Sequence, residues 1–213
     1  LDIGDKGLGR LIEPQELLGV LNRQKGKIIV TSGPTYEEID DVKVVTNKSS
    51  GKQGRALAIE LSARGYEIIY IHSASIDHIP GLDNVSFHSS NDLKNKILEN
   101  INNTDAIFMT AAVSDFTVKK SSGKISRSNG NITLEFIPNE DIIATIKSSY
   151  PEIKCIAFSA QVDDELNFNK INTKKVDYLV INNILKNNFG SDANKVSIID
   201  HQHLIFESEE LDK

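Results

Sequence analysis

The chain has a single cysteine, Cys155, so no intrachain disulfide can close, and a reducing, cytoplasmic setting is expected. Cys155 sits in Ile153-Lys-Cys-Ile-Ala-Phe158, which reads as a buried strand. A nucleophilic thiol needs a nearby histidine or helix terminus, so the reading here is structural. No apolar run approaches about 18 residues, which leaves no candidate membrane span. The start carries no basic stretch followed by an apolar core, so no signal peptide is read there. Leu1 in place of an initiator Met suggests a fragment or a processed product. Positive charge is also short: 24 Lys and Arg face 30 Asp and Glu, a formal net charge of −6 with no block of one sign. Nucleic acid is therefore not expected as a partner, because phosphate neutralisation needs a basic face. A local basic pocket for one phosphorylated metabolite is compatible with this balance. HExxH, cysteine-cluster and Ser-His-Asp signatures are missing too. Asp200, His201 and His203 straddle a predicted hairpin turn and read as turn residues rather than metal ligands.

The 213 residues are 39% hydrophobic and 25% charged, a balance that fits a soluble globular protein of one large domain, with or without an appendage. Residues 1–25 read as a lead-in with a flexible glycine-rich start and a short amphipathic helix at 13–21. The body alternates. Strands are predicted at 27–30, 67–72, 85–87, 105–110, 153–160, 176–182, 195–200 and 203–206. Helices are predicted at 55–64, 91–100, 140–148 and 166–174, the first stopped by Gly65 and the second burying Leu93, Ile97 and Leu98. A polar loop at 119–131 and an alternating strand at 132–137 suggest a mobile flap or hairpin. This is an α/β pattern: a doubly wound, Rossmann-like, mostly parallel sheet with helices on both faces, plus a β flap. In such sheets ligands bind beyond the carboxyl ends of the strands at the topological switch point. Three segments should converge there: 31–54, 111–116 and 182–190.

The segment 31–54 is the most informative. Compact αβ units join strand to helix in about two to six residues, and this connection is far longer. It is rich in Gly, Ser, Thr and Asn, donors that suit an anion at a helix N-terminus. Gly51-Lys-Gln-Gly54 resembles half of a dinucleotide fingerprint, but its glycines fall about twenty residues after the strand instead of directly behind it. A phosphate cradle at Ser49, Ser50 and Gly51 suits the position better; a helix entry that only packs tightly is the bland alternative. Asn47, taken alone, is a turn former or cap. Lys124 is either part of a solvated charge run or a flexible cation that closes over developing charge. Asp115 follows a strand end flanked by small residues, where close ligand approach is feasible.

Together these motifs become specific. Thr31-Ser-Gly-Pro-Thr35, Ile39-Asp40, Val45-Thr-Asn47-Lys-Ser-Ser-Gly51-Lys-Gln-Gly54 and Ala111-Ala-Val-Ser-Asp115-Phe116 resemble bacterial phosphopantothenoylcysteine synthetase, the phosphopantothenate–cysteine ligase. Lys124, Asn139-Glu-Asp-Ile-Ile143, Ala157-Phe158-Ser-Ala160, Lys170, Lys174, Asp177, Asn182, Phe189 and Asn194 continue the match in order, over roughly residues 26–206. The lead-in Gly4-Asp-Lys-Gly-Leu-Gly9-Arg10 resembles the edge of the flavin-dependent decarboxylase fused upstream in many bacteria, although Ile3 stands where that enzyme has its cysteine. The resemblance thus implies a synthetase domain at 26–213 behind a linker remnant at 1–25, with FMN not expected in this fragment.

The activity it implies is a ligation in coenzyme A biosynthesis. The carboxylate of 4′-phosphopantothenate attacks the α-phosphate of CTP (ATP is the weaker choice), and cysteine then displaces CMP from the acyl-cytidylate. Mg²⁺ accompanies the triphosphate, and the enzyme is a homodimer. By position, Asn47, Lys124 and Lys43 are the implied catalytic residues. Gly33, Ser49, Ser50, Gly51, Ala111, Ala112, Val113, Asp115, Asn139, Asp141, Ile142, Ile143, Phe158, Lys170 and Lys174 are implied to form the nucleotide site. Lys170 and Lys174, four apart, share one helical face. The chain departs from the family pattern at Lys43, Glu140, Gln161 and Asn183, where Arg, Pro, Glu and Asp are common. Two rival readings stay open at the level of sequence: a nucleotide-binding scaffold without turnover, and an NAD(P)-dependent oxidoreductase.

Overall fold

The computed structural model describes residues 25–161, 168–183, 193–194, 196–208 and 211–212. The lead-in, the helix predicted at 13–21, Phe189 and most of the 182–190 segment lie outside the described residues.

Continuous apolar runs become the middle of one sheet. Its parallel strands are β1 (Lys27–Ser32), β4 (Glu67–Ser73), β5 (Asp83–Phe87), β6 (Thr104–Met109), β9 (Lys154–Gln161) and β10 (Tyr178–Asn183). Antiparallel β12 (Val196–Ile199) and β13 (Leu204–Glu207) extend the β10 edge, giving eight strands in the order β13-β12-β10-β9-β6-β1-β4-β5. The order reverses between β1 and β6, which sets the switch point there. Among the described residues, three small antiparallel pairs stand apart from this sheet. They join β2 (Tyr36–Glu38) to β3 (Val44–Thr46), β7 (Phe116–Val118) to β8 (Phe136–Pro138), and β11 (Ala193–Asn194) to β14 (Leu211–Asp212).

Period-two burial divides the core between the two faces. Ile28, Val30, Ile68 and Tyr70 point to one face, where Ala58 of α1 (Lys52–Ala63) covers them. Ile29, Ile69, Ile71 and Ile107 point to the other, under α2 (Ser90–Asn100), α3 (Ile142–Ser149) and α4 (Phe168–Lys174). Leu93 and Ile97 of α2 are wholly buried, whereas Leu98 is 37% exposed and belongs to the solvent side, against expectation. Successive helix residues point about 100° apart, so Ile97 and its neighbour Leu98 cannot both face the sheet.

Helix ends follow side-chain chemistry. Gly65 takes φ 89°, its N–H meets Ser62 O and Tyr66 N–H meets Leu61 O, a Schellman stop for α1. Ser89 caps α2 by accepting from Asp92 N at 3.2 Å, and Asp141 caps α3 by accepting from Ala144 N at 3.2 Å. Cys155 is fully buried, and burial pushes its thiol up to about 11, in keeping with a structural role. Asp200 Oδ1 accepts from Gln202 N and His203 N at 2.8 and 2.7 Å, closing the β12–β13 turn.

Two local expectations change. The long 31–54 connection contains the β2–β3 hairpin. The strand expected at 132–137 is confined to Phe136–Pro138, so 119–135 is a long loop with a 3₁₀ turn at Arg127–Asn129. Among the described residues no helix is long and apolar enough to cross a membrane.

Candidate active site

A cleft of about 490 Å³ opens beyond the carboxyl ends of β1, β6 and β9, at the switch point. Its floor is made where two connections cross. Ala112 N donates to Gly33 O at 2.9 Å and Thr35 N to Ala112 O at 3.2 Å, extending the β1–β6 pairing past the strands. Ala111 N donates to Thr31 Oγ1 at 3.1 Å and Ser114 N to Thr35 Oγ1 at 3.0 Å. The small side chains of Ala111 and Ala112 leave room for a ligand against this backbone.

Asn47 leaves β3 and reaches this floor: its Nδ2 donates to Ala112 O at 2.9 Å. Asn139 ties the far wall, with its N donating to Asp115 O at 2.8 Å and its Nδ2 to Ser114 O at 2.9 Å. The start of α3 forms that wall through Asp141, Ile142 and Ile143. α4 presents Lys170 and Lys174 side by side, as four-residue spacing requires. Lys170 Nζ donates to Ser159 Oγ at 2.7 Å, and Lys174 Nζ meets Asp141 Oδ2 at 2.9 Å. Phe158 gives the cleft an aromatic wall. Asp115 is exposed in the cleft, with no side-chain partner among the described residues.

Of the residues singled out from sequence, Asn47, Ser49, Ala111, Ala112, Val113, Asp115, Asn139, Asp141, Ile142, Ile143, Phe158, Lys170 and Lys174 line this cleft. Gly33, Ser50, Gly51, Lys43 and Lys124 do not. Gly33 and Gly51 take φ 89° and 70°, and both lie against the Ile76 side chain. A Cβ on Gly54 would run into Ser32 and Thr110, so this glycine lets α1 approach the sheet closely. The glycines therefore pack on apolar and strand atoms instead of opening a dinucleotide crevice. Lys43 is held elsewhere, its Nζ on Asp40 Oδ2 at 2.7 Å and Ile125 O at 3.0 Å. Its ammonium keeps the buried Asp40 carboxyl well below the usual carboxylate range. Lys124 is exposed on the 119–135 loop, and no described residue pairs with its ammonium.

Lys48 and Ser159 also line the cleft and escaped the sequence reading as site residues, whereas Ser114 and Glu140, which line it too, fall within the stretches 111–115 and 139–143 that the family resemblance implied. The Lys94 ammonium at 2.5 Å lowers the Glu140 carboxyl from its ordinary value, and Thr145 Oγ1 donates to it at 2.6 Å. The period-two alternation of β9 would have found Ser159, which shares the sheet face of Ala157.

Residues 23–213 match the family model described as DNA/pantothenate metabolism flavoprotein C-terminal domain. The chain belongs to this family. A relative from Bacillus subtilis (strain 168), the coenzyme A biosynthesis bifunctional protein CoaBC, is 33% identical over 215 residues, covering 93% of this chain and 53% of the relative. The chain thus spans about half the length of the curated relatives it matches, 49% of the Vibrio cholerae protein among them. A solved C-terminal domain of a CoaBC protein superposes with a TM-score of 0.70 at 26% identity, covering 89% of this chain and 90% of that one. A Cab2 variant in complex with phosphopantothenate-cysteine shares the fold, with a TM-score of 0.57 at 16% identity over 87% of this chain and 83% of that one. In this flavoprotein C-terminal family, as in the chain described here, the fold is a mostly parallel α/β sheet of Rossmann-like form.

Proposed function

We propose that the cleft joins 4′-phosphopantothenate to cysteine at the expense of CTP, a step of coenzyme A biosynthesis. The observation that carries this reading is that Lys170 and Lys174 share one switch-point cleft with the Asn47 loop. The family membership and the relatives named for coenzyme A biosynthesis support it. The likeness to the Cab2 complex with phosphopantothenate-cysteine supports the choice of acid and amine.

The chemistry proceeds in two displacements. A carboxylate oxygen of phosphopantothenate forms a bond to the α-phosphorus of CTP, and the bond to the β-phosphate oxygen breaks, releasing pyrophosphate. The amine nitrogen of cysteine then bonds to the acyl carbon, CMP leaves with the bonding electron pair, and the ammonium proton passes to solvent or phosphate. Two anions must meet in the first step, so cations must screen them. In this reading Lys170 and Lys174 hold the triphosphate, Phe158 faces the base, and Lys124 closes from the flap over the developing charge. Asn47 orients the acyl group for attack by the amine.

Mg²⁺ favours oxygen ligands and keeps much of its shell on phosphate and water. Among the described residues no cluster of three or more His, Cys, Asp or Glu could cage a metal. The free Asp115 carboxylate would fit an ion that arrives with the triphosphate, and such an ion would lower the charge repulsion at phosphorus. The packing of Ile76 on Gly33 and Gly51 weighs against an NAD(P) oxidoreductase.

Incubation with phosphopantothenate, cysteine, Mg²⁺ and either CTP or ATP tests the reading through pyrophosphate and CMP release. CTP is expected to support turnover and ATP much less. Lys124→Gln should all but stop pyrophosphate release, leaving a small residual rate, and Asn47→Asp should let an acyl-cytidylate accumulate. No pyrophosphate with either nucleotide would sink the ligase reading.

A further inference from the structure

The loop that carries Lys124 is anchored by a carboxylate outside the cleft. Asp40 is 1% exposed. Its Oδ1 accepts from the backbone N–H groups of Val42 and Lys43, both at 2.7 Å. Its Oδ2 accepts from Lys43 Nζ at 2.7 Å and from Ile125 N at 2.9 Å. Lys43 Nζ also donates to Ile125 O at 3.0 Å, so both polar backbone atoms of Ile125 are engaged.

Neighbouring contacts hold the same stretch. Ser121 N donates to Ile39 O at 2.8 Å and Gly123 N to Asp41 Oδ2 at 3.0 Å. Lys120 Nζ spans Glu38 Oε2 and Asp41 Oδ1 at 2.8 and 3.1 Å. The backbone is thus fixed on both sides of Lys124, while the Lys124 side chain projects without a described partner. β3 begins just after this clasp and ends at Thr46, whose Oγ1 donates to Thr35 O at 2.8 Å, immediately before Asn47. One hairpin therefore presents Asn47 to the cleft floor at one end and holds the Lys124 segment at the other.

We propose that Asp40 is a positioning residue that registers the Lys124 loop against the Asn47 hairpin. This rests on the ligase reading above. A carboxylate suits the task because all four groups facing it are donors. An amide would turn its own NH₂ toward Ile125 N–H or the Lys43 ammonium. Asp40→Asn is therefore a near-isosteric way to open the clasp. Because neither Asp40 nor Lys43 lines the cleft, nucleotide affinity should be spared.

The test compares the parent protein, Asp40→Asn, and the milder exposed variant Asp41→Ala, which removes only the Gly123 and Lys120 contacts. Hydrogen exchange of the amides of Ser121, Gly123 and Ile125 is read in the ligand-free proteins, and steady-state pyrophosphate release is read with CTP. Asp40→Asn should speed exchange of these amides by roughly tenfold or more, leaving the β1 and β4 amides unchanged. Its kcat should fall by roughly tenfold or more, with KM for CTP within about threefold of the parent. Asp41→Ala should move both readouts the same way by less. Combined with Lys124→Ala, Asp40→Asn should lower the residual rate no further than Lys124→Ala alone, because it acts through that lysine.

Faster exchange with an unchanged kcat overturns the proposal, as does an effect that adds in full to that of Lys124→Ala. If Asp40→Asn fails to fold, Asp41→Ala decides: loop exchange and kcat equal to the parent's overturn the proposal. A parent that releases no pyrophosphate sinks the ligase reading itself, and the positioning role with it. A parent that turns over beside an Asp40→Asn variant of equal kcat sinks only the clasp.

Discussion

Lys170 and Lys174 share a helical face but have different partners, and the difference decides what each loses on mutation. Lys170 rests on a neutral hydroxyl, Ser159, while Lys174 neutralises the Asp141 carboxylate at the head of α3. Removing Lys170 subtracts one charge-assisted bond to a triphosphate. Removing Lys174 subtracts a bond and also leaves Asp141 facing the phosphates as an uncompensated anion. Bonds to charged groups contribute about 1.5–3 kcal/mol, so Lys170→Met should raise KM for CTP by roughly tenfold or more, and Lys174→Met by a larger factor. Initial-rate pyrophosphate release checks the order; a larger effect at Lys170 would refute the assigned partners. Restoring Lys174→Met by adding Asp141→Asn should recover part of the loss. The lysine pair was legible in the sequence because four-residue spacing on a helix fixes a shared face. Their partners were not, since Ser159 and Asp141 come from β9 and the α3 cap, and pairing across elements leaves no trace in spacing. Cys155 was legible from its apolar flanks. Its buried thiol, pushed up to about 11, should resist alkylation at pH 8 until the protein is unfolded.

At the scale of elements, the inner parallel strands could be read because strands buried on both faces are written as short apolar runs, such as Ile28-Ile-Val30 and Ile68-Ile-Tyr-Ile71. The β2–β3 hairpin could not: its strands are three residues each, too short to display a period, and Glu37 in the middle is buried by a contact 53 residues away, with Ser90 N donating to it at 3.0 Å. The alternation at 132–137 was read as a strand, yet β7 is only three residues long and pairs with Phe136–Pro138 alone. Period two marks a strand only where a partner exists to receive it. The flap loop, expected to be mobile, is instead docked on the hairpin by bonds that depend on a carboxylate, and this gives it an acid limit. Asp40 titrates at an ordinary 3.8 when unfolded, and the Lys43 ammonium and backbone donors lower it in the folded chain. The folded form then binds fewer protons, so the clasp contributes fully above that pH and weakens as pH falls below it. The protection of the Ser121, Gly123 and Ile125 amides against hydrogen exchange should therefore fall together as pH drops below about 4, while that of the β1 and β4 amides holds. A loop whose protection stays constant down to about pH 2 would show that another contact holds it.

On the scale of the whole molecule, the two hairpins raise a surface that one chain does not cover. Val42 is 64% exposed, Phe116 46%, Ile132 49%, Phe136 49% and Ile137 46%. Phe116 and Phe136 pack edge to face at 6.3 Å. β2 lies beside β7, so the two hairpins that carry these exposed residues are neighbours. Large apolar residues exposed on neighbouring hairpins are candidates for an association surface, and a second copy of the chain is the occupant that the homodimer expected from the family resemblance calls for. The acidic and basic groups at the hairpin edges, Glu38, Asp41 and Lys120, already pair within the chain, which leaves the apolar residues to supply the contact. Phe136→Asp should therefore give a monomer at concentrations where the parent sediments as a dimer. It should leave thermal stability within a few degrees, because the residue is half exposed and outside both core clusters. Leu93→Ala, a change in the core under α2, should do the reverse: it should cost about 2–5 kcal/mol of stability and leave the mass unchanged. Sedimentation of the two variants separates the surfaces, and a parent that sediments as a monomer at all concentrations tested would remove the dimer from the account. If Phe136→Asp also lowers kcat, the patch and the Lys124 loop that lies between β7 and β8 are coupled, and association contributes to holding the flap as well as to burying its phenylalanines.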